Sequence, residues 1–361
     1  MNGAPSKIVI AAGGTAGHVV PALAVAAALR AEHAEVTFIG GERAEAQLVP
    51  AAGFPLRQIS VEGLSRTNPL RALRAVARAA AAFLRARALL GELAPDAVMG
   101  GGGYVAGPVG LAALSRRIPL VLTEADSHLG LTNRALAPFA RRVCLAFALP
   151  GRTAPRYRVT GRPIPAPQED RAAARARFGI APEQTCVLVF GGSLGARSIN
   201  HAAIDAFTGA AFDAPGVRVL HVSGRRDYAE LGERARPQWY DLREYLELEQ
   251  FAAALAAADL VVARAGGSIF EVAAHGAPAI LVPYPHAAAD HQTSNARWMA
   301  DAGAALVIDD GELTAPRLAQ AVGALLADRA RLAAMAAAAR ELARPHAARD
   351  VAGELLQAAG A

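Results

Sequence analysis

Two glycine-rich loops, half a chain apart, carry residue types that could do chemistry. Each follows an apolar run and precedes a helical pattern; the first is Gly13–His18 and the second is Gly191–Ala196. Glycine lets the backbone turn sharply and approach a ligand closely. The helix that follows offers its first N–H groups and the positive end of its dipole to an anion. Two such loops in halves of similar length predict twin Rossmann-like domains that hold a phosphorylated ligand and a second substrate.

A histidine closes the first loop. An imidazole at His18, near the start of a helix and facing a cleft, could take a proton from a hydroxyl group. Alternatively it only hydrogen-bonds the loop backbone, and position alone favours neither role. A third loop, Gly100–Gly103, places four consecutive glycines after an apolar run, which packing alone hardly explains. We therefore treat it as a further candidate for ligand binding.

Two polar loops of the second half have competing interpretations. Ser268 and Glu271 fit the S-x-x-E capping box, which needs no ligand; alternatively, Glu271 accepts hydrogen bonds from a ribose diol. The loop at 283–295 holds three potential metal ligands, but their spacing fits no standard zinc pattern: His286, Asp290 and His291. Its amide and hydroxyl side chains suit a sugar better, so we expect no metal site and no cofactor.

Apolar runs alternate with helical stretches in both halves, which predicts parallel sheets with right-handed crossovers. The first half predicts strands at Lys7–Ala12, Glu35–Ile39, Arg57–Ile59, Ala97–Met99, Leu120–Leu122 and Val143–Ala146. The second half predicts strands at Cys186–Phe190, Val217–Ser223, Arg243–Tyr245, Leu260–Ala263, Ala279–Val282 and Ala305–Ile308. Ligands bind beyond the carboxyl ends of such strands, where the glycine loops lie. The predicted fold is α/β, with two Rossmann-like domains whose parallel sheets face a central cleft.

Prolines mark the domain boundaries. Gly161–Pro167 contains three prolines within five residues, which makes a stiff connector. We predict one domain over 1–162 and a second over 163–344. Because Pro345 interrupts the last helical region, 345–361 is predicted to be a terminal helix that packs back on the first domain.

Composition excludes several classes of protein. The 361 residues are 53% hydrophobic and 5% aromatic, with a mild net charge of +5, so RNA binding through an aromatic-rich basic surface is not expected. Cys144 and Cys186 lie in apolar runs typical of a reduced protein. We expect neither a signal peptide nor a membrane-spanning helix.

Arginines recur along one predicted helix, 68–92. Helical geometry places four of them within an arc of roughly 60°: Arg71, Arg74, Arg78 and Arg85. Apolar residues, among them Leu73 and Phe83, spread over the opposite side. The helix is either an ordinary surface helix packed on the sheet or a contact with anionic lipid.

Three other functions fit less well. A nicotinamide-dependent oxidoreductase would show G-x-G-x-x-G and an acidic residue after the second strand, where this chain has Gly40 and Gly41. A serine hydrolase would match the G-x-S-x-G pattern at Gly191–Gly195 but leaves the first loop unexplained. A non-catalytic nucleotide-binding module would bind its ligand without turning it over.

The motifs, taken in order, closely resemble those of the MurG family, glycosyltransferase family 28, over almost the whole chain. The segments that carry the resemblance are Gly13–Leu23, Gly102–Pro108, Gly191–Asn200, Arg264–Glu271 and Asp290–Ala296. It implies a GT-B fold and an inverting, metal-independent hexosyltransferase. GlcNAc would pass from UDP-GlcNAc to the C4 hydroxyl of MurNAc in lipid I, forming lipid II for peptidoglycan. The alternative is another GT-B UDP-sugar transferase with a lipid or small-molecule acceptor.

The resemblance also implies where the enzyme works. UDP-GlcNAc, polyprenyl-linked lipid I, an anionic membrane surface and cell-wall synthesis or division proteins are the implied partners, and nucleic acid is not. The implied location is peripheral, on the cytoplasmic face of the bacterial plasma membrane, with the first domain as the acceptor and membrane domain and the second as the UDP-GlcNAc domain.

The candidate site residues fall into four groups, of which the membrane group rests on the helical arc described above and the others on the resemblance. The candidate base is His18, with Glu124 and Asp126 as competing bases. The donor-binding residues are Thr15, Ala16, Gly17, Asp126, Arg162, Ser193, Asn200, Leu248, Gly266, Gly267, Ser268, Glu271, Gln292 and Asn295. The acceptor diphosphate residues are Gly13, Gly14, Gly102, Gly103 and Tyr104. The membrane residues are Arg71, Arg74, Arg78, Phe83 and Arg85.

The chain departs from the family pattern at three places. Glu124-Ala125-Asp126 stands where a Glu-Gln-Asn run is expected, and Gly161-Arg162-Pro163 stands where the family has Gly-Asn-Pro. The interval from Arg264 to Glu271 is one residue short, which affects the register at Gly266–Ser268.

Overall fold

The computed structural model describes residues 4–60, 69–209, 212 and 215–360. Its strands are β1 (Lys7–Ala11), β2 (Glu35–Gly40), β3 (Leu56–Gln58), β4 (Ala97–Gly100), β5 (Leu120–Glu124), β6 (Arg142–Leu145), β7 (Tyr157–Val159), β8 (Thr185–Phe190), β9 (Val217–Val222), β10 (Tyr240–Arg243), β11 (Leu260–Ala263), β12 (Ala279–Leu281) and β13 (Ala305–Val307). Its helices are α1 (Ala16–Ala31), α2 (Ala44–Ala51), α3 (Pro69–Leu93), α4 (Gly103–Ser115), α5 (Leu131–Leu136), α6 (Arg171–Arg177), α7 (Arg197–Thr208), α8 (Tyr228–Gly232), α9 (Leu248–Ala257), α10 (Ile269–Ala274), α11 (His291–Asp301), α12 (Ala315–Ala327), α13 (Arg329–Leu342) and α14 (Ala347–Ala359).

The described strands form two parallel sheets, which confirms the predicted α/β class. The first has the order β3-β2-β1-β4-β5-β6-β7 and the second the order β10-β9-β8-β11-β12-β13. Helices cover both faces of the first sheet: Ile8 and Ile10 belong to one apolar cluster and Val9 to the other. Side chains alternate along a strand, so a strand buried on both faces is apolar throughout.

The chain divides into two compact units. The first comprises 1–166 together with 344–361, and the second comprises 167–343. The first boundary lies four residues later than predicted, because Ile164 is buried within the first unit. Gly161 lies close to the terminal segment: a Cβ there would meet Cβ of Arg344 at 2.5 Å.

The strands that the prediction misplaced lie at sheet edges. β10 ends at Arg243 instead of beginning there, and β7 was not predicted. Each pairs with a single neighbour, and each carries a charged residue, Arg158 in β7 and Asp241 in β10. An edge strand is half solvated and short, so its apolar pattern is weak.

The terminal helix α14 is fastened to the first sheet by apolar and ionic contacts. Val351 and Leu355 are buried in the cluster that α1 also lines. Buried Glu354 accepts hydrogen bonds from Arg142 of β6, at 2.5 Å, and from Arg158 of β7. Burial raises the pKa of Glu354, but the two arginines outweigh it, so the carboxyl titrates below its ordinary value of 4.5.

We expect Glu354→Gln to lower the free energy of unfolding of the first unit by about 2 kcal/mol. This loss is smaller than the loss expected for a fully buried ion pair, because both arginines reach solvent. The carboxyl is more acidic in the folded state. The contribution of this carboxyl to the free energy of unfolding is therefore complete above its pKa in the unfolded chain. It disappears as the pH falls through its pKa in the folded protein. Urea unfolding followed by circular dichroism at neutral and acid pH measures this. An equal difference between variant and wild type at both pH values would contradict it.

Candidate functional site

The first two glycine loops of the chain border the switch point of the first sheet. The neighbouring strands β1 and β4 lead in opposite directions across it, β1 towards β2 and β4 towards β5. Parallel sheets of this kind open a crevice outside the carboxyl ends of such strands. The loop Gly13–His18 follows β1, and the loop Gly101–Tyr104 follows β4. Both predicted loops therefore lie where ligands bind in this type of sheet.

These two loops touch through their backbones. Gly102 and Gly103 have φ values of 89° and 74°, a region that only glycine adopts easily. A Cβ on Gly103 would overlap the carbonyl oxygen of Gly13, and one on Gly102 would lie 2.8 Å from Cδ2 of His18. The glycines thus allow the loop after β4 to pack directly on the loop after β1 and on the imidazole of His18.

His18 is the third residue of α1 and is half-buried. Burial, assisted by the nearby Arg162 guanidinium, lowers its pKa below the ordinary 6.5, although Asp126 and Glu45 act in the opposite direction. Arg162 is anchored beside it, donating from Nη2 to the carbonyl oxygen of Gly17 at 2.5 Å. Hence the imidazole is neutral at pH 7 and able to accept a proton.

The two competing bases have different surroundings. Glu124, at the end of β5, is buried; it accepts hydrogen bonds from the amide of Gly130 at 2.8 Å and from Nδ2 of Asn133 at 2.9 Å. Burial raises the pKa of Glu124. Its oxygens hold the loop 126–130, whereas Asp126 is close enough to His18 to raise the histidine's pKa. Of the two carboxylates, the charge of Asp126 therefore acts on the pKa of His18.

Sequence reasoning missed a buried carboxylate beneath these loops. Glu45, near the start of α2, is fully buried. It accepts hydrogen bonds from the amide of Gly14 at 2.9 Å, the amide of Gly41 at 2.8 Å and the hydroxyl of Tyr104 at 2.7 Å. An acidic residue in the first turn of a helix is ordinary, so the sequence signal for a buried carboxylate here is limited to the pair Gly40-Gly41 at the end of β2.

This carboxylate corrects the predicted diphosphate site at two positions. The N–H of Gly14 and the hydroxyl hydrogen of Tyr104 are donated to Glu45, so in this geometry neither is offered to a phosphate. Burial, together with the hydrogen bond to Glu45, raises the pKa of Tyr104 to about 12. Gly13 is buried, whereas Gly14, Gly102 and Gly103 are partly exposed.

The second sheet repeats the arrangement at β8 and β11. The loop Gly191–Ala196 follows β8, and Ser193 is exposed on it. Gly195 has φ 82°, and a Cβ there would overlap the carbonyl oxygen of Ser223, the residue after β9. This contact packs the loop against the end of β9, below the exposed Ser193.

Asn200 differs from its predicted role. It is fully buried, donates from Nδ2 to Ser223 O and to Asp227 Oδ2, both at 2.8 Å, and its Oδ1 lies 3.0 Å from His221 Nε2. Because both polar atoms of the amide are engaged, direct contact with a donor is not available in this geometry. Asn200 instead holds the Ser223–Asp227 segment on which Gly195 packs.

The loop after β11 brings together several predicted donor residues. Gly266, Gly267, Ser268 and Glu271 are half-buried at the start of α10. Ser268 has helical φ and ψ and makes no side-chain capping bond, so the capping box that the spacing allowed is not formed. From α11, Asn295 donates to the carbonyl oxygen of Ala265 at 2.9 Å.

Gln292 of α11 also lies beside this loop. Its Oε1 accepts the amide of Tyr284 at 3.0 Å, and its Nε2 would be 4.0 Å from a Cβ on Gly266. Leu248, the first residue of α9, is 38% exposed. Near it, β10 and the segment that follows β9 border an open cavity of about 680 Å³ that includes Tyr245 and Glu247.

The predicted membrane helix is only partly described. The side chains of Arg71, Arg74 and Leu73 lie outside the described residues. Arg78 and Arg85 are exposed. Phe83 is partly buried against the core, with Ala82 and Ala86 buried beside it, and its contact with a membrane stays a prediction. Leu84 is the exposed apolar residue, at 64%.

Within the described ranges of the chain, no group of three His, Cys, Asp or Glu residues is placed to hold a metal ion. No described helix is long and apolar enough to cross a membrane.

Comparison with known proteins gives consistent matches along the chain. Residues 8–145 match the N-terminal domain of glycosyltransferase family 28, and residues 186–351 match its C-terminal domain. The UDP-N-acetylglucosamine--N-acetylmuramyl-(pentapeptide) pyrophosphoryl-undecaprenol N-acetylglucosamine transferase of Moorella thermoacetica is 44% identical, covering 94% of this chain and 95% of that protein. The transferase of the same name from Acidithiobacillus ferrooxidans is 42% identical, covering 98% of each.

A solved structure is similar throughout as well. The crystal structure of Acinetobacter baumannii MurG has a TM-score of 0.76 and 31% identity, covering 98% of this chain and all of that one. The predicted GT-B fold class and the predicted family are thereby confirmed. The chain belongs to glycosyltransferase family 28.

Proposed function

We propose that this protein transfers GlcNAc from UDP-GlcNAc to the C4 hydroxyl of MurNAc in undecaprenyl-diphospho-MurNAc-pentapeptide, forming lipid II. The observation that carries the proposal is the 44% identity to a transferase of that activity over 94% of the chain. The neutral imidazole of His18 beside a glycine-lined crevice supplies the proton acceptor that the reaction requires.

The proposed reaction is a single displacement. The C4 hydroxyl oxygen of MurNAc forms a bond to C1 of GlcNAc, and its proton passes to His18. The bond between C1 and the UDP oxygen breaks, and its electron pair leaves with UDP. Because His18 is neutral at pH 7 and lies near Arg162 and Asp126, its environment suits a general base.

We place the donor on the second unit. Backbone amides at a helix start stabilise a leaving diphosphate without a metal, and α7 begins directly after the loop that bears Ser193. Glu271 would bind the ribose, Gln292 the GlcNAc hydroxyls and the amide of Leu248 the uracil. Asn295 supports the Gly266 loop through its bond to Ala265.

Membrane contact belongs to the same proposal, because the acceptor's polyprenyl chain stays in a bilayer. Support comes from exposed apolar side chains on adjoining helices of the first unit. Leu84 of α3 and Leu111 of α4 are 64% and 52% exposed, and Phe139, which follows α5, is 70% exposed. Helix α4 packs against both α3 and α5. Arg78 and Arg85 add positive charge on α3, which would attract anionic lipid.

Reversing Arg71, Arg74, Arg78 and Arg85 to glutamate should abolish sedimentation with vesicles of anionic lipid. Each arginine near such a surface contributes about 1 kcal/mol, and the attraction is screened over about 8 Å at physiological salt. The matched control reverses four exposed arginines of the second unit: Arg177, Arg297, Arg317 and Arg331.

Both variants change the net charge from +5 to −3, because each replacement changes it by two. Only the first should lose vesicle binding while still turning over a short-chain soluble acceptor. Equal binding by the two variants would show that the arginines of α3 have no special role.

The activity itself is tested with labelled UDP-GlcNAc and a lipid I analogue. We expect label in the lipid product with MurNAc-pentapeptide diphospholipid and none with an acceptor whose C4 hydroxyl is replaced by hydrogen. Transfer to both acceptors would favour a different UDP-sugar transferase activity. Binding of UDP-GlcNAc without turnover would favour a non-catalytic module.

A further inference from the structure

One buried charge links the three loops that follow adjacent strands of the first sheet. β2, β1 and β4 are neighbours, and Glu45 accepts one hydrogen bond from the loop or helix start after each of them. The donors are Gly41 after β2, Gly14 after β1 and Tyr104 after β4. A single carboxylate thus connects the segments that frame His18.

The charge of Glu45 is sustained by these donors. Burial alone would raise the pKa of a carboxyl, but hydrogen bonds from Gly14, Tyr104 and Gly41 outweigh it, and the pKa of Glu45 is lowered. The residue is therefore ionised at pH 7. A buried carboxylate without such donors would be strongly unfavourable, so loops and carboxylate stabilise one another.

The packing around Glu45 leaves little freedom. A Cβ on Gly13 would lie 2.8 Å from Oε1 of Glu45, and a Cβ on Gly41 would overlap the Tyr104 hydroxyl. The guanidinium of Arg43 lies 5.1 Å from the centre of the Tyr104 ring, a cation–π distance. The glycines at positions 13 and 41 are thus needed by the carboxylate and the phenol, independently of any ligand.

Movement of these segments would reach His18 directly. Its imidazole would be only 2.8 Å from a Cβ on Gly102, and its Nδ1 lies 3.5 Å from the hydroxyl of Thr15. Gly102 adjoins the Gly103–Tyr104 segment that Glu45 holds, and Thr15 adjoins Gly14. The hydrogen bonds to Glu45 therefore hold in place the segments on both sides of the His18 imidazole.

We propose that Glu45 is a positioning residue for the transfer, fixing the loops after β1, β2 and β4 around His18; this rests on the proposed function. Displacing a catalytic group by about 1 Å can cost about 100-fold in rate. Glutamine matches glutamate in shape, but its –NH₂ group would face N–H or O–H donors, so at least one bond is lost.

The test compares Glu45→Gln with wild type and with Glu92→Gln, an exposed glutamate of the same unit as matched control. With Glu45→Gln, kcat/KM for a lipid I analogue should fall about 100-fold, while KM for UDP-GlcNAc changes by about twofold or less. Because the charge of Glu45 raises the pKa of His18, its loss should move the acid limb of the pH profile to lower pH.

Hydrogen exchange followed by mass spectrometry gives a readout independent of activity. In Glu45→Gln, exchange should quicken in segments 12–20 and 100–106 and stay unchanged in 260–275. Glu45→Asp keeps the charge, and its kcat/KM should be about tenfold higher than that of Glu45→Gln because it still makes charge-assisted hydrogen bonds. The aspartate variant also replaces the glutamine variant in the test if the latter folds poorly.

Unchanged exchange in both segments, or kcat/KM for the acceptor equal to that of Glu92→Gln, would overturn the role of Glu45. Absence of transfer by the wild type contradicts the proposed function instead. In that case the exchange measurement alone decides whether Glu45 positions the loops.

Discussion

Replacing His18 by alanine is expected to lower kcat for GlcNAc transfer by about 10²–10⁴, the contribution of a positioned general base. The imidazole is neutral at pH 7 because burial and Arg162 lower its pKa. Steady-state rates with saturating UDP-GlcNAc measure the effect. His346→Ala is the control, because His346 is an exposed histidine of the same unit. A loss of less than about fivefold would assign the base to another group.

The pH profile separates His18 from the carboxylates. A protonated imidazole cannot accept a proton, so kcat/KM for the acceptor should fall on the acid side. The midpoint should lie below 6.5, the ordinary value from which the pKa of His18 is lowered. The limb should disappear in the alanine variant. Persistence of the same limb would point to Asp126, which lies near His18.

Gly195→Ala is expected to raise KM for UDP-GlcNAc about 100-fold, because its Cβ would overlap the carbonyl oxygen of Ser223 and displace the loop. Gly216→Ala is the matched control. Gly216 has φ 79°, close to the 82° of Gly195, but a Cβ there meets nothing within 4 Å. Both variants therefore carry the same left-handed strain of about 1–2 kcal/mol.

The two glycine variants should therefore differ in donor KM, and Gly195→Ala should also melt at the lower temperature because it adds the overlap with Ser223 to the shared left-handed strain. Isothermal titration with UDP measures donor binding without acceptor. If both variants bound UDP as wild type does, the loop at Gly191–Ala196 would not hold the donor. If both lost binding equally, general strain rather than the contact with Ser223 would be responsible.

Local patterns in the chain predict most of the fold. The apolar run at Lys7 and the glycines after it imply a buried parallel strand followed by a helix, and the structure has β1 and α1 there. The same reasoning holds at Cys186 and Gly191. It fails at Tyr157–Val159, because a three-residue edge strand buries too little to show an apolar period.

Tertiary contacts decide the parts of the site that local patterns miss. Glu45 resembles any acidic residue in a first helical turn, and only the fold brings Gly14, Gly41 and Tyr104 to it. Asn200 follows a glycine loop like a ligand contact, but the end of β9 covers it. Phe83 lies in the arginine-rich helix and is partly buried against the core.

The most direct test of the proposed transfer is the structure of its product. Lipid I analogue and UDP-GlcNAc, whose C1 is α-linked, are incubated with the protein, and the disaccharide is examined by NMR. A single displacement at C1 with attack by the MurNAc hydroxyl predicts a β linkage to C4, with both the anomeric coupling and the glycosylation shift of C4 observed. An α linkage, attachment at another hydroxyl, or free GlcNAc as the main product would contradict the account.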